Sequence, residues 1–355
     1  MSICSDTFST NSNVLEVYYM IVLGIESSCD DSAVAIVDSN RNIISNQLFS
    51  QIEEHINFGG VVPEIAARSH MKMLPELMTR ALNESCIPLD KLDGVAATAG
   101  PGLIGGVIVG LMFAKGIASA IKKPLIAMNH LEGHALSIRM LEDIQFPYLL
   151  MMLSGGHCQI LIVEGIGTYK KLGQTKDDAV GEAFDKISKM LGLGYPGGPI
   201  IEKIAKTGDP HSFRLPMPLC SYRTCDFSFS GLKTAARHAI LKLDLNNQKD
   251  VANMCASLQH TISEILAKKL DVAIEIFSSL YPNSKDVVIA GGVAANRYIY
   301  SKLENFCQSH GFALHSPPIH LCTDNAAMIA WGGIERLKLG MHDNLDAIPR
   351  SKWSL

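Results

Sequence analysis

The sequence predicts an α/β protein of two similar lobes facing each other across a cleft. Three observations carry that expectation. The chain has 355 residues, which at roughly 150 per domain points to two units. Short apolar runs of strand length are mixed with longer stretches of helical spacing, the mark of α/β layers with parallel pairing wherever a helix crosses over. One order of elements (hairpin, third strand, helix, strand, helix) also occurs twice.

In the first unit, Met20 to Ile25 is a buried strand, the small polar run Gly24 to Ser32 a tight turn, and Ala33 to Val37 the returning strand. Asn42 to Leu48 is the third strand. Pro63 to Leu82 has helical spacing, with proline suited to a first turn. Gly94 to Thr98 is a strand broken by Ala99-Gly100-Pro101-Gly102. Ile104 to Ile121 is an apolar helix, Pro124 to Met128 a strand, and a helix carrying His130 and His134 follows. The second unit begins with strands at Tyr148 to Leu153 and Cys158 to Val163, joined by the turn Ser154-Gly155-Gly156-His157, and a third at Tyr169 to Leu172. Helices are expected over Ala179 to Leu191, Ile200 to Lys206, Leu232 to Leu241 and Val251 to Leu280, with a polar, proline-bearing stretch from Gly208 to Phe229. Strand Asp286 to Ala290, helix Ala294 to Phe306, strand Phe312 to His315 and helix Asn325 to Leu339 complete it. The lobes divide near Asp143 to Pro147, giving an N-terminal extension over 1–19, a first lobe over 20–145 and a second over 146–355. Met20 is a candidate translation start.

Composition narrows the function. Hydrophobic residues make up 47% and charged residues 19%, below the usual ~25% charged, which favours a compact fold over disorder. With 31 Lys and Arg against 35 Asp and Glu, the net charge is −4. A polyanionic partner must therefore be met by a local patch or with another subunit's help. Nine cysteines without a C-x-x-C read as reduced thiols in a cytoplasmic protein rather than a disulfide frame. The most apolar stretches, such as Val107 to Phe113, are too short to span a bilayer, and residues 1–19 hold no Lys or Arg, unlike a secretory or transit segment.

Each hairpin turn puts small residues between buried strands, so backbone N–H groups can approach an anion. One such turn is an ordinary hairpin; a matched pair across a cleft resembles the duplicated actin, sugar-kinase and Hsp70-like (ASKHA) ATPase fold, two lobes around a nucleotide cleft. Gly291-Gly292-Val293-Ala294-Ala295-Asn296 follows a strand and opens a helix, where a flat ligand could come close and Asn296 could bond it. Ser230-Gly231-Leu232-Lys233-Thr234 lacks the spacing of a P-loop, and Ser230 reads as a helix N-cap. His130 and His134 stand four residues apart on one helix face and can reach one metal. Candidate third ligands are Asp324 and the second-half aspartates. Two imidazoles and a carboxylate suit non-haem iron or zinc. A zinc protease of the H-E-x-x-H kind is the alternative, but Glu132 is displaced by one position, about 100° around the helix from where a general base belongs. Cys158 beside His157 is more simply a core thiol. Tyr222, Arg223, Lys233 and Arg237 cluster near one loop, by default solvated, with an RNA contact the second reading.

Together these blocks resemble one family, the tRNA N6-adenosine threonylcarbamoyltransferases of the bacterial and organellar TsaD type, formerly called O-sialoglycoprotein endopeptidases. The resemblance runs from Met20 to the last helix. It rests on Gly24 to Asp30, Gly59 to Glu64, Thr98 to Leu103, His130 to His134, Ser154 to His157, Gly181 to Lys186, Tyr195 to Pro199, Asp226 to Thr234 and Cys322 to Asn325. It implies one bound metal, Fe2+ or alternatively Zn2+, on His130, His134 and Asp324. It also implies a nucleotide and substrate site at Met152, Leu153, Ser154, Gly155, Gly156, Asp185, Gly198, Glu202 and Asn296, with threonylcarbamoyl-AMP or ATP/AMP in the cleft. One departure is visible: Glu202 stands where many members carry Asp. The implied reaction transfers threonylcarbamoyl from threonylcarbamoyl-AMP, supplied by a separate synthase, to N6 of the tRNA adenosine just 3′ of the anticodon, in tRNAs reading codons that begin with A. The implied partners are tRNA, a TsaB-like paralogue and a TsaE-like ATPase, with no membrane. No protein nucleophile is required, because AMP is already a good leaving group; positioning and charge stabilisation are what the site must supply.

Overall fold

The computed structural model describes residues 19–58 and 60–355; the expected extension over 1–19 and the start at Met20 concern residues that lie, but for Tyr19 and Met20 themselves, outside the described ones. The first hairpin, β1 (Ile21–Glu26) and β2 (Asp31–Asp38), is antiparallel with Ile21 opposite Asp38, and β3 (Ile43–Ser50) pairs on its outer edge. Helix α1 (Pro63–Ser85) crosses to β4 (Gly94–Gly100), and α2 (Ile104–Ile121) to β5 (Leu125–Asn129), both strands parallel to β1. The order is β3-β2-β1-β4-β5. Strands β1 and β2 are apolar in continuous runs because both faces are covered. On one face Leu23, Ile25, Leu74, Leu77 and Leu111 form a core under α1 and α2.

The short helix α3 (His130–Ser137) leaves the end of β5. The second sheet then repeats the plan. Strands β6 (Tyr148–Leu153), β7 (Cys158–Gly165) and β8 (Thr168–Gln174) form the antiparallel part. Helices α4 (Val180–Met190), α5 (Gly197–Ala205), α6 (Ser230–Ile240) and α7 (Gln248–Leu280) follow. Strand β9 (Asp286–Ala290), helix α8 (Arg297–Ser309) and strand β10 (Ala313–His315) complete the unit. Its order, β10-β9-β6-β7-β8, is the first sheet's order read from the other end. The large core around Phe184, Phe227, Phe229, Leu266 and Phe277 lies on one face of this sheet.

The last helix, α9 (Ala326–Lys338), leaves the second unit and packs on the first sheet, where Ala326, Ala327, Ile329, Ala330 and Ile334 meet Val22, Ala35 and Ala96. A cut at 145/146 therefore separates the sheets but not the helices that cover them. The fit is close at Gly24, where an added Cβ would lie 2.2 Å from the Ala326 carbonyl oxygen and 2.7 Å from the Ala330 nitrogen. Backbone cannot yield there, so Gly24→Ala is expected to destabilise the chain by about 3 kcal/mol or more. A denaturation midpoint unchanged from the parent chain would contradict this.

Three local expectations need correction. Helix α2 runs for 18 residues and is apolar enough to cross a membrane by length and composition, so the apolar stretch is longer than the run from Val107 to Phe113. One of its faces packs on β4, while Ile104, Ile108 and Met112 stay exposed. Ser230 is the first residue of α6 and not its cap. The carboxylate of Asp177 caps the helix from outside, accepting from the Phe229 and Ser230 amides at 2.8 and 3.2 Å and from the Ser228 and Ser230 hydroxyls. Helix α8 starts at Arg297, after a separate 3-10 turn over Gly292–Ala295. The loop over 208–229 is pinned by the buried Lys269, whose ammonium donates to the carbonyls of Leu219, Tyr222 and Thr224 at 2.7, 3.4 and 2.9 Å. Backbone carbonyls make its direct contacts, and Asp226 adds a more distant negative charge.

Candidate active site between the lobes

Helix α3 is a wedge between the two sheets. All eight of its residues are buried. Leu131 and Ala135 pack on Tyr148, Leu150, Met152 and Val288 of the second sheet, while Gly133 faces Ile329 and Met328 of α9. A fully buried polar helix needs strong local reasons for its position. Asn129 provides one, accepting the Leu131 amide at 2.9 Å as N-cap. Glu132 provides another, pairing with Arg336 of α9. That pair turns Glu132 away from the histidines, so it cannot serve as the base of a protease.

His130 and His134 lie one turn apart, ring centroids 4.8 Å from each other and planes at 90°. Asp324, on the turn before α9, completes the group. Its Oδ1 is 3.1 Å from His134 Nε2 and 3.5 Å from His130 Nε2. One ligand atom from each residue falls within 4.8 Å of the others. Two imidazole nitrogens and a carboxylate oxygen converging on one point are a donor set for a divalent ion with open positions, and the residues fit that role. His130 Nδ1 is held at 2.9 Å by the carboxylate of Glu26, the arrangement that orients a metal-binding imidazole. Glu26 is fully buried and also accepts from the Thr98 hydroxyl at 2.5 Å and the Ser28 amide at 2.6 Å.

The charges follow from this packing. Burial alone would lower the proton affinity of His130, but the negative charges of Glu26 and Asp324 outweigh it and raise the pKa to about 9. Burial would raise Asp324, but the His130 charge and the hydrogen bond from His134 hold it well below the usual carboxylate range. His157 is lowered to about 4 by burial and by its nearness to His130 and His134. Burial, with Asp324 and Asp30 close by, raises Asp31 to about 7.

The glycine turn of the second sheet lies beside this group. The Ser154 amide donates to the His157 carbonyl at 2.8 Å, and the His157 amide to the Ser154 hydroxyl at 3.0 Å. Gly155 and Gly156 face open space, where a Cβ would meet nothing within 4 Å. The start of α4 abuts the turn: a Cβ on Gly181 would lie 2.8 Å from the Gly155 Cα, and the Gly181 amide reaches the Ser154 carbonyl at 3.2 Å. Free amides and a helix N-terminus together favour an anion. Gly291, at φ +94°, closes the other side, with only 2.5 Å between its would-be Cβ and the Leu153 carbonyl oxygen.

The remaining expected site residues divide into two groups. Met152 and Leu153 are fully buried, their side chains in opposite cores, so only their backbone can meet a ligand. Asp185 accepts the Gly197 amide at 2.7 Å, which fixes the start of α5 and leaves Gly198 facing open space. Burial raises its pKa against that bond. Asn296 caps α8, accepting from Ile299 at 3.0 Å and donating to Gln259 at 2.9 Å; one amide hydrogen is left over. Glu202 accepts the Arg297 amide at 2.8 Å and, with Gln259, Arg297, Tyr298 and Lys302, lines a cavity of about 500 Å³. Of the cations grouped with Tyr222, Arg223 in the loop pairs with Glu275 and Lys233 on α6 with Asp178. Sequence reading missed Glu26 and His157 as site residues; both stand inside quoted motifs, but no spacing rule ties them to His130.

Residues 42–331 match the family described as TsaD, tRNA N6-adenosine threonylcarbamoyltransferase. A protein of that name from Rickettsia peacockii is 54% identical over 336 residues, covering 94% of this chain and 98% of the relative. One from Rhodospirillum rubrum is 53% identical over 341 residues, covering 94% of each. Among solved structures, component A of (R)-2-hydroxyglutaryl-CoA dehydratase from Acidaminococcus fermentans superposes with a TM-score of 0.51 at 14% identity, covering 90% of this chain and 99% of that one. That likeness concerns the fold, the duplicated ASKHA plan expected from the paired hairpins.

Proposed function

The chain belongs to the TsaD family of tRNA N6-adenosine threonylcarbamoyltransferases, and from that premise we propose how its cleft carries the transfer. His130, His134 and Asp324 hold one divalent metal, Fe2+ or Zn2+. The observation that carries this reading is the convergence of those three ligand atoms beside the free amides of the second hairpin turn. When bound, the metal supplies Lewis acidity toward the oxygens of the acyl donor. Gly155 and Gly156 hold the phosphate of threonylcarbamoyl-AMP with backbone N–H groups and Ser154 with its hydroxyl, since the Ser154 amide is spent on the His157 carbonyl, and the N-terminus of α4 supports them. Asp185, Gly198, Glu202 and Asn296 line the nucleoside side. The adenosine N6 amine attacks the carbamoyl carbon and AMP departs. The chain's work is alignment and water exclusion, aided by an α3 with no exposed residue. The tRNA base reaches the cleft from a single-stranded loop that can splay a nucleotide out.

The partner reading is also a proposal. Helix α2 exposes Ile104, Ile108 and Met112 at successive turns, and Met71 of the adjoining α1 is 65% exposed. Such an apolar stripe suits a protein partner, here a TsaB-like paralogue, with a TsaE-like ATPase and a threonylcarbamoyl-AMP synthase completing the system in the cytoplasm. Ile108→Glu is expected to abolish co-purification with that paralogue and leave the thermal midpoint within about 2 °C, as surface changes do. Pairing that survives the charge would place the contact elsewhere.

Metal uptake should depend on pH. A neutral imidazole is the ligand, so binding displaces the proton that His130 carries below about 9. The logarithm of the affinity is expected to rise by about one unit per pH unit below that value and then to level off. Competition titrations between pH 6.5 and 9.5 measure the slope.

The deciding experiment for function is nucleoside mass spectrometry of tRNA from cells depleted of the protein. N6-threonylcarbamoyladenosine should fall and return with the parent gene. Unchanged modification after depletion would sink the reading.

A further inference from the structure

The segment after α9 does not run free. It returns along β5 from its amino end at Leu125 and then crosses the carboxyl ends of β4 and β5, the edge of an open α/β sheet where ligands usually sit. The Asp343 amide donates to the Leu125 carbonyl at 2.8 Å, and its carboxylate accepts the Ala127 amide at 2.8 Å. Lys115 donates to the Ala347 carbonyl at 2.6 Å. Further on, the Arg350 amide donates to the Ala99 carbonyl at 2.7 Å, and Gly102 donates to the Ser351 carbonyl at 3.3 Å. Gly100, at φ +140°, has no room for a side chain because the Arg350 carbonyl oxygen would lie 2.0 Å from its Cβ. The Asn129 side chain, finally, donates to the Trp353 carbonyl at 3.3 Å. The Arg350 guanidinium lies 4.6 Å over the Trp353 ring and stiffens the last turn of the segment.

Two of these contacts lead into the metal group. Asn129 is the cap of α3 and the neighbour of His130, so a bond that fixes its carboxamide fixes where the helix begins. The loop held by Arg350 and Ser351 is also the one whose Leu103 amide donates to the Ser28 carbonyl at 2.7 Å. The Ser28 hydroxyl in turn lies 3.2 Å from His130 Nδ1. The same imidazole is thus approached from both sides by elements that rest on residues 343–353.

We propose that residues Asp343–Trp353 form a strap whose backbone positions His130 for metal binding, with Asn129 as the positioning residue. The proposal rests on the metal reading given above. The strap acts through the cap and through the loop over 99–103.

The test compares the full chain with a chain stopped after Pro349, and with Asn129→Ser, using Co2+ absorption titration and amide hydrogen exchange. Serine keeps the helix cap but is too short to reach the Trp353 carbonyl. Both variants are expected to bind Co2+ about 10- to 100-fold more weakly, the usual loss when support behind a ligand goes, and to exchange the Leu131 amide faster. Trp353→Phe, which preserves the backbone carbonyl, should behave as the parent. Parent-like Co2+ affinity and Leu131 exchange in Asn129→Ser overturns the strap, whether or not the shortened chain folds. If the parent itself takes up no Co2+, the metal reading fails; the exchange comparison then still supports the strap when Leu131 is faster in the variants and overturns it when it is not.

Discussion

Replacing His134 with Ala, or Asp324 with Asn, is expected to abolish threonylcarbamoyl transfer while leaving the chain folded. Asp324 is the one anionic member of the trio, and its Oδ1 faces both Nε2 atoms. Asn keeps the volume and removes the charge that a divalent ion requires. His134 turns its Nε2 towards Asp324, while its Nδ1 is buried without a hydrogen-bond partner among the described residues, and Ala removes the ligand altogether. Lewis-acid assistance is worth several kcal/mol, and each 1.36 kcal/mol is tenfold in rate, so a loss of at least about 10³-fold is expected. Metal content by mass spectrometry should fall from one per chain towards zero, with unchanged far-ultraviolet circular dichroism. Either variant retaining full transfer after chelation would remove the metal from the reaction.

The second large effect belongs to Glu26. Its carboxylate sits at the end of β1 with no solvent exposure and takes three bonds, from Thr98, Ser28 and His130. In Glu26→Ala the Thr98 hydroxyl and Ser28 amide lose their partner, and the cationic His130 loses one of its two carboxylates. Breaking a buried pair from one side costs about 3 to 5 kcal/mol. Glu26→Gln keeps the shape, so its stability loss should be smaller, and it isolates the electrostatic part. Metal affinity in Glu26→Gln should fall about 10- to 100-fold at pH 9. The pH dependence should move the other way. Glu26 is one of the two charges that raise His130 to about 9, so without it the proton competes less and the plateau begins at lower pH. A weaker plateau with an earlier onset separates orientation from charge; an unchanged titration curve would leave Glu26 without a role at the metal.

The sequence made the duplicated plan legible because hairpins with small-residue turns are local and recur in order. It also exposed His130 and His134, since a four-residue spacing on a helix is a local geometric fact. By residue pattern Asp324 was one candidate among several aspartates and the family resemblance singled it out; the return of the chain at the start of α9 is what brings it beside the two histidines. Glu26 stood in a motif read for its turn; nothing in a one-dimensional pattern says that a residue 104 positions away will offer it an imidazole. Ser230 shows the limit of cap rules. A serine ahead of an apolar helix is a good local cap, but Asp177, brought in by β8, offers a charged acceptor to two amides and outcompetes it. The length of α2, Ile104 to Ile121, was legible in full; the expectation that no apolar stretch reaches bilayer length failed because it measured only the densest run, Val107 to Phe113. The placement of α9 on the first sheet was invisible for a different reason. Its apolar face would suit either lobe, and the choice is made by Gly24, whose missing side chain lets backbone meet backbone.

That placement has a consequence for the order of synthesis. The first sheet is complete once β5 has emerged, yet the face carrying Val22, Ala35, Ala96 and Met128 stays uncovered until α9 arrives. At roughly 5 to 20 residues per second, about 200 further residues must leave the ribosome, so this greasy surface faces the crowded cell for roughly 10 to 40 seconds. Glu132 likewise waits for Arg336, 204 positions later. The nascent chain is therefore a natural client for chaperones during that interval, and its ability to take up a metal should switch on late, after the second lobe has been made.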